Sequence, residues 1–256
     1  MSPAPASHAT PVLAAILGGG LLAALALAAR LRPRRGTLSF AAPLLPVPAS
    51  DAALLVCAMV VGGYFLGGFW PTVIALAGIV VLLLLHRVPV LRHFGPGPLT
   101  VPGAVLGGLW ITAAATPFLL VLAGATESLL RKLGFPVPVE PAVALFRDAH
   151  GWRQLLPLFL AATVLAPVAE EALFRGFLQP ILKRHAGGAR AWVAVAVLFA
   201  GCHLNVPTFP PLLLFGLVLG LAYEWSGGSL LLCISAHFWF NFLVATLLTL
   251  GVDISS

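Results

Sequence analysis

Three short stretches hold residues whose types and spacing could do chemistry. VAEEALFRG carries Glu170, Glu171 and Arg175, directly after LLPLFLAATVLAP, which has no charge at all. FAGCHLN carries His203, and SAHFWFN carries His237 and Asn241. Glu224 stands at the edge of the apolar run near 210–224. Glu171 and Arg175 are four apart, so they share a helix face and can pair. Glu170 is rotated from Glu171 by about 100° and points elsewhere. His237 and Asn241 also share a face. A carboxyl held in an apolar cavity without a tight cationic partner is a competent general base near neutral pH. Such a base, with His203, could activate a water. His237 and Asn241 could donate hydrogen bonds to an oxyanion as it develops. Hydrolysis of a peptide bond by activated water fits these parts. No GxSxG elbow is present, and no HExxH zinc signature.

The elements that must position these groups are set by composition. Of 256 residues, 60% are hydrophobic and 9% charged, against about 25% charged in a soluble domain. That much apolar surface cannot be hidden in one core, so lipid is the solvent. An ionisable side chain at bilayer depth costs several kcal/mol and belongs in a bundle interior or a wet cavity. With roughly 20 residues per crossing, the apolar runs give about eight spans. They lie near 11–29, 52–69, 71–86, 102–124, 154–181, 191–206, 210–224 and 229–250. The expected fold is an all-α, polytopic transmembrane bundle forming one membrane domain over 1–256. Within it, 1–150 form variable N-terminal spans and a periplasmic-side loop, and 151–250 form the core that carries the motifs. Glu170, His203 and His237 would then lie about 18, 18 and 12 Å below one face, on three helices.

Basic residues orient the bundle. Arg30, Arg32, Arg34 and Arg35 follow the first run, Arg87 and Arg92 the third, and Lys183, Arg184 and Arg190 the fifth. The positive-inside rule puts these loops in the cytoplasm. The loop near 125–153 is then external, although it holds Arg131, Lys132, Arg147 and Arg153. Part of it, VALFRDAHGWRQLL, suits an interfacial amphipathic helix. The net charge of +6 reflects these loops and attraction to anionic headgroups; nucleic acid is rejected as a partner. Cys57, Cys202 and Cys233 lie in apolar runs without a CxxC pair and read as small hydrophobes. The first run is read as a retained anchor, because a basic n-region is missing.

The three motifs together resemble a known family. EEALFR is similar to the EExxxR motif of the CPBP intramembrane proteases, also called the CAAX-protease and bacteriocin-processing family. FAGCH resembles its FxxxH motif through Phe199 and His203, and HFWFN its HxxxN motif through His237 and Asn241. The order is that of the family, which includes the Ras-converting endoprotease of prenylated CAAX tails. The resemblance implies a glutamate-dependent intramembrane endopeptidase. Glu170 would activate water with His203, His237 and Asn241 would form the oxyanion site, and Glu171, Arg175 and Phe199 would support them. No cofactor is expected. A metal-dependent version would place zinc on Glu170, His203 and His237.

Other readings of the same residues are a proton-coupled transporter using Glu170 and the histidines as a relay, and a non-catalytic bacteriocin-immunity protein. The transporter reading lacks an internal inverted repeat. Richness in Ala, Gly, Pro and Arg points to a GC-rich bacterial genome, hence to the inner membrane. The expected partners are membrane lipid and a membrane-anchored peptide or protein tail, met in a cavity open to the cytoplasm or the inner leaflet.

Overall fold

A computed structural model of the chain describes residues 18–19, 40, 42–66 and 70–251. The run expected near 11–29 lies outside the described residues, apart from two positions. Among the described residues there is helix and no strand. The helices are α1 (Ala49–Leu66), α2 (Trp70–Leu85), α3 (Val90–His93), α4 (Val101–Lys132), α5 (Pro141–Asp148), α6 (Trp152–Ala186), α7 (Gly188–Gly201), α8 (Phe209–Trp225) and α9 (Leu230–Thr249).

The described residues form an all-helical bundle, and among them three helices are long and apolar enough to cross a bilayer: α4, α6 and α9. The other apolar runs appear as shorter helices within α1, α2, α7 and α8. Large apolar side chains line the outer faces: Leu54, Phe65, Leu84, Phe118 and Val121 are all exposed. In water that much open apolar surface would drive association; in lipid it is the expected contact.

Polar side chains join the helices where lipid offers no hydrophobic drive between them. Thr112 donates to the Ala236 carbonyl at 2.6 Å, and Ser235 donates to the Val105 carbonyl at 2.9 Å. These two bonds hold α4 against α9. Gly108 allows the approach, since a Cβ there would stand 2.5 Å from Ser235 Oγ. Asp51 at the start of α1 meets His86 beyond the end of α2 at 2.8 Å.

α6 is not uniform. Residues Ala161–Leu165 and Ala172–Leu178 are π-helical, with α-helical turns before, between and after. In the first π segment the Ala166 N–H donates five residues back, to the Ala161 carbonyl. The next such donor would be Pro167, which has none. The Ala162 carbonyl is therefore left for a side chain. π-Bulges of this kind recur at functional sites.

Two expectations need correction here. The sixth run was expected to stay helical to 206, but α7 ends at Gly201. Leu204 adopts φ +50° and Pro207 follows, so the apolar composition runs on past the point where the backbone stops being helical. The single amphipathic helix expected around 143–156 is broken in two. Gly151, at φ +75°, separates α5 from α6, a conformation few other residues adopt cheaply.

Candidate active site

The site is built from α6 outward. Glu171, Arg175, Gln179 and Lys183 recur every four residues and form a stripe facing α8. Arg175 Nη1 donates to Glu171 Oε1 at 2.9 Å, and its Nη2 donates to the Gly216 carbonyl at 3.1 Å. Gln179 Nε2 donates to the Gly220 carbonyl at 3.2 Å and to Glu224 Oε1 at 3.0 Å. Lys183 Nζ donates to Glu224 Oε2 at 2.8 Å and to the carbonyls of Phe40 and Ala42. The Ala42 N–H also donates to Glu224 Oε2, at 3.0 Å. Two anions and two cations thus balance in a column that is almost wholly buried. Isolated charges there would be prohibitive, and paired ones are tolerated.

Gly216 and Gly220 make this column fit. They are four apart on α8, the small-xxx-small spacing that lets helices close up. A Cβ at Gly216 would stand 3.2 Å from Ala196 Cα, and one at Gly220 would stand 2.7 Å from Trp192 Cδ1. Close packing of α7 and the exposure of these carbonyls to α6 both depend on the missing side chains. The GLVLG run announces this in the sequence, yet it is absent from the site expected there. Glu224 was expected as a mere edge residue; it is 1% exposed and anchors the column.

The top of the column reaches the residues expected to act. His237 Nδ1 lies 2.7 Å from Glu171 Oε1, the oxygen that Arg175 also holds. A carboxylate accepts, so the Nδ1–H donates and Nε2 faces away. That Nε2 is 3.9 Å from Glu170 Oε2. Glu170 Oε2 itself has no hydrogen-bond partner. The helix rotation that separates two adjacent carboxylates therefore divides their work. Glu171 is fully buried and fixes an imidazole, whereas the Glu170 side chain is 30% exposed.

His203 sits in the turn after α7, not on the helix. Its Nδ1 is 2.9 Å from the Phe199 carbonyl. A carbonyl accepts, so Nδ1 carries a proton; in the neutral tautomer Nε2 is then the acceptor. Phe199 is fully buried and central. Its ring contacts those of Phe174, His203 and His237 at 5.3, 5.3 and 5.9 Å, and the Arg175 guanidinium stands over it at 4.5 Å. Asn241 donates from Nδ2 to the Ala162 carbonyl at 2.8 Å, the group that Pro167 leaves free. One amide hydrogen is thus committed to holding α9 against α6, and the second remains.

Two further residues belong here and carried no signal in the sequence. Phe215 stands edge-on to the His237 ring at 5.4 Å and packs on Phe240 at 4.6 Å. It also forms the floor of an apolar cavity of about 170 Å³ bounded by α4, the 137–140 segment, α8 and α9. Glu140 lies on the wall of that cavity. Burial pushes its carboxyl above the ordinary range; His203 pulls it back down and the Glu170 charge pushes it further up. Glu170 and His203, the dyad expected to activate water, are thus both within electrostatic reach of Glu140. Asn205 holds that segment in place, donating to the Pro138 carbonyl at 3.3 Å.

Residues 152–243 match the family model described as Type II CAAX prenyl endopeptidase Rce1-like. This is the family that the three motifs resemble. The matched segment runs from the start of α6 to beyond Asn241, so it contains all three motifs and the whole polar column except its contacts to residues 40–42. No curated protein and no solved structure matches the chain. Glu170, His203 and His237 do not form a group spaced to hold a metal ion, and no such group occurs among the described residues. His237 Nδ1 is already spent on Glu171.

Proposed function

We propose that the chain is a glutamate-type intramembrane endopeptidase acting on membrane-anchored peptides or protein tails. One observation carries the reading. Two adjacent glutamates meet the two nitrogens of one imidazole, and only Glu171 is also held by Arg175, which leaves Glu170 at 3.9 Å from His237 Nε2 with its Oε2 free of hydrogen bonds. A purely structural pair of carboxylates would both be hydrogen-bonded.

In the proposed reaction Glu170 takes a proton from a water that His203 Nε2 also accepts from. The water oxygen bonds to the scissile carbonyl carbon, and the carbonyl π pair moves onto its oxygen. His237 Nε2 and the second Asn241 N–H donate to that oxyanion. Nε2 donates when the ring carries both protons, while the Nδ1–H stays on Glu171. When the oxyanion collapses, the C–N bond breaks and Glu170 returns its proton to the leaving amine. Phe199 and Phe215 keep both rings in plane and exclude water from their backs.

The test is Glu170→Gln, compared with wild type for unprocessed termini among cellular membrane proteins. Processing should stop while the variant accumulates and folds normally. Unchanged processing would end the reading, and Glu170-dependent proton flux in liposomes without cleavage would favour the transporter. The immunity reading predicts that protection survives Glu170→Gln.

A further inference from the structure

The apolar cavity of about 170 Å³ lies beside the catalytic groups, and the proposed reaction does not use it. Its direction follows from the helices around it. α4 and α9 begin together: Gly97 stands against Ser229, and the Leu231 N–H donates to the Gly95 carbonyl at 3.4 Å. Thr112 and Ser235 then hold the two helices side by side, so they run parallel. The short turn Ser226–Ser229 joins α8 to α9 and makes α8 antiparallel to both. The cavity therefore has an inner end at Leu119, Phe215 and Phe240 and an outer end at Glu127, Arg131 and Thr208. Leu119 and Glu127 are eight residues apart, about 12 Å along α4.

This cavity shares two walls with the site. The Phe215 ring at its inner end stands edge-on to His237 at 5.4 Å. Glu140 lies on its side wall, within electrostatic reach of Glu170 and His203. A cavity of about 150 Å³ holds one benzene. A similar volume drawn out along two turns of α4 has room for one unbranched side chain, and not for a whole acyl or isoprenoid chain. Two carboxylates interrupt the apolar lining, and both lack something. Glu127 Oε2 is buried without a hydrogen-bond partner. Arg131 stands 3.7 Å from it, beyond hydrogen-bond length, and is 61% exposed, so water screens its charge. Burial works against the ionised form of Glu140. A cation brought into the cavity would answer both carboxylates. Lysine and arginine lay an apolar stem along apolar surface and carry their charge beyond it, which matches the order of the lining from inner to outer end.

We propose that this cavity is the specificity pocket of the active site and takes one lysine or arginine side chain of the substrate, its stem on Phe215 and Phe240 and its charge against Glu127 and Glu140. Calling the occupant a substrate rests on the endopeptidase reading; the preference of the cavity for such a side chain does not. Glu127 and Glu140 are then specificity-determining residues that take no part in the bond-breaking step.

The probe is a fluorescent apolar peptide with one central lysine, compared with the same peptide carrying norleucine, which keeps the unbranched stem and lacks the charge. Binding to the full-length Glu170→Gln chain in zwitterionic nanodiscs is read by anisotropy, so cleavage is not needed. The lysine peptide should bind about tenfold more tightly or better, as a hydrogen bond to a charged group would give. Adding E127Q and E140Q together should erase that difference and leave norleucine binding in place. Should that variant fail to fold, A123L narrows the cavity from α4 and should weaken the lysine peptide. Equal affinities for the two peptides overturn the proposal. So does a preference that survives E127Q with E140Q, or a lysine peptide that A123L leaves unaffected. In the wild type, Glu170-dependent cut sites should carry lysine or arginine at one fixed position from the scissile bond, and cut sites without one overturn the pocket's role. If binding is as expected while the wild type cleaves nothing, the pocket stands and the endopeptidase reading alone fails.

Discussion

Within α6, Glu171 and Glu170 are neighbours in sequence and opposites in environment. Glu171 is fully buried, bonded to Arg175 and His237, and continuous with a column that ends at Lys183 and Glu224. Glu170 is part-exposed, and its Oε2 has no hydrogen-bond partner. The column is repeated every four residues, one helix face, and every charge in it has a counter-charge. Moving one residue along the chain leaves that face and that protection. The contrast shows how a largely apolar chain affords a reactive carboxylate: it sets one group that lacks a hydrogen bond at its Oε2 beside a scaffold whose own charges cancel.

Breaking the two halves should therefore give different signatures. Glu170→Gln is expected to lower turnover by about 10²- to 10⁴-fold, the contribution of a positioned general base. Thermal unfolding in detergent should not move. A variant that lost activity only in proportion to lost folded protein would place Glu170 in the scaffold after all. Glu224→Ala is expected to do the converse. It leaves Lys183 uncompensated and should cost about 3–5 kcal/mol of stability, read from thermal or denaturant unfolding in detergent. Turnover per folded molecule should be retained, because Glu224 lies well below the reacting groups.

The same contrast explains what could be read from the sequence. Glu170, Glu171, Arg175, His203, His237 and Asn241 stand out because charge and imidazole are rare in apolar runs, and helical spacing alone pairs Glu171 with Arg175. Phe215 gives no such signal, since an aromatic residue in LLLFGLVLG resembles any lipid-facing neighbour. Glu140 was hidden in a loop where a carboxylate is unremarkable; only the fold of 137–140 against Asn205 brings it near the dyad. Gln179 and Lys183 were separable from solvent-facing loop residues only by extending the four-residue period beyond Arg175, and the role of Glu224 only by extending the Gly216–Gly220 period along α8. His203 was placed on a helix because apolar content persists after Gly201, whereas the positive φ at Leu204 ends helical geometry without changing hydropathy. The run near 11–29 falls outside the described residues, so the count of about eight spans stands as an expectation.

Gly220→Ala probes the join between the halves. The added Cβ would meet Trp192 Cδ1 at 2.7 Å and Gln179 Oε1 at 3.0 Å. Trp192 is itself held by the Leu217 carbonyl at 2.8 Å and cannot swing away freely. Overpacking of this kind costs about 1–3 kcal/mol. A loss of stability with turnover preserved would confirm that the column is a scaffold. Equal losses of both would mean that closing α7 onto α8 also sets the position of His203.

The smallest effect is expected at Glu140, on the wall of the apolar cavity. Burial raises the affinity of this carboxyl for its proton in the folded state. The folded protein therefore binds more proton than the unfolded chain between the two titration ranges, and stability falls as pH rises through that window. Gln mimics the protonated form and cannot lose a proton. Glu140→Gln should match wild type near the unfolded carboxyl's range, around pH 4.5, and should unfold at a higher temperature than wild type at neutral pH. Unfolding curves at the two pH values decide it. A variant less stable than wild type at neutral pH would show instead that the ionised carboxylate is held by a cation there, and the half-open site would have to be redrawn with that cation in it.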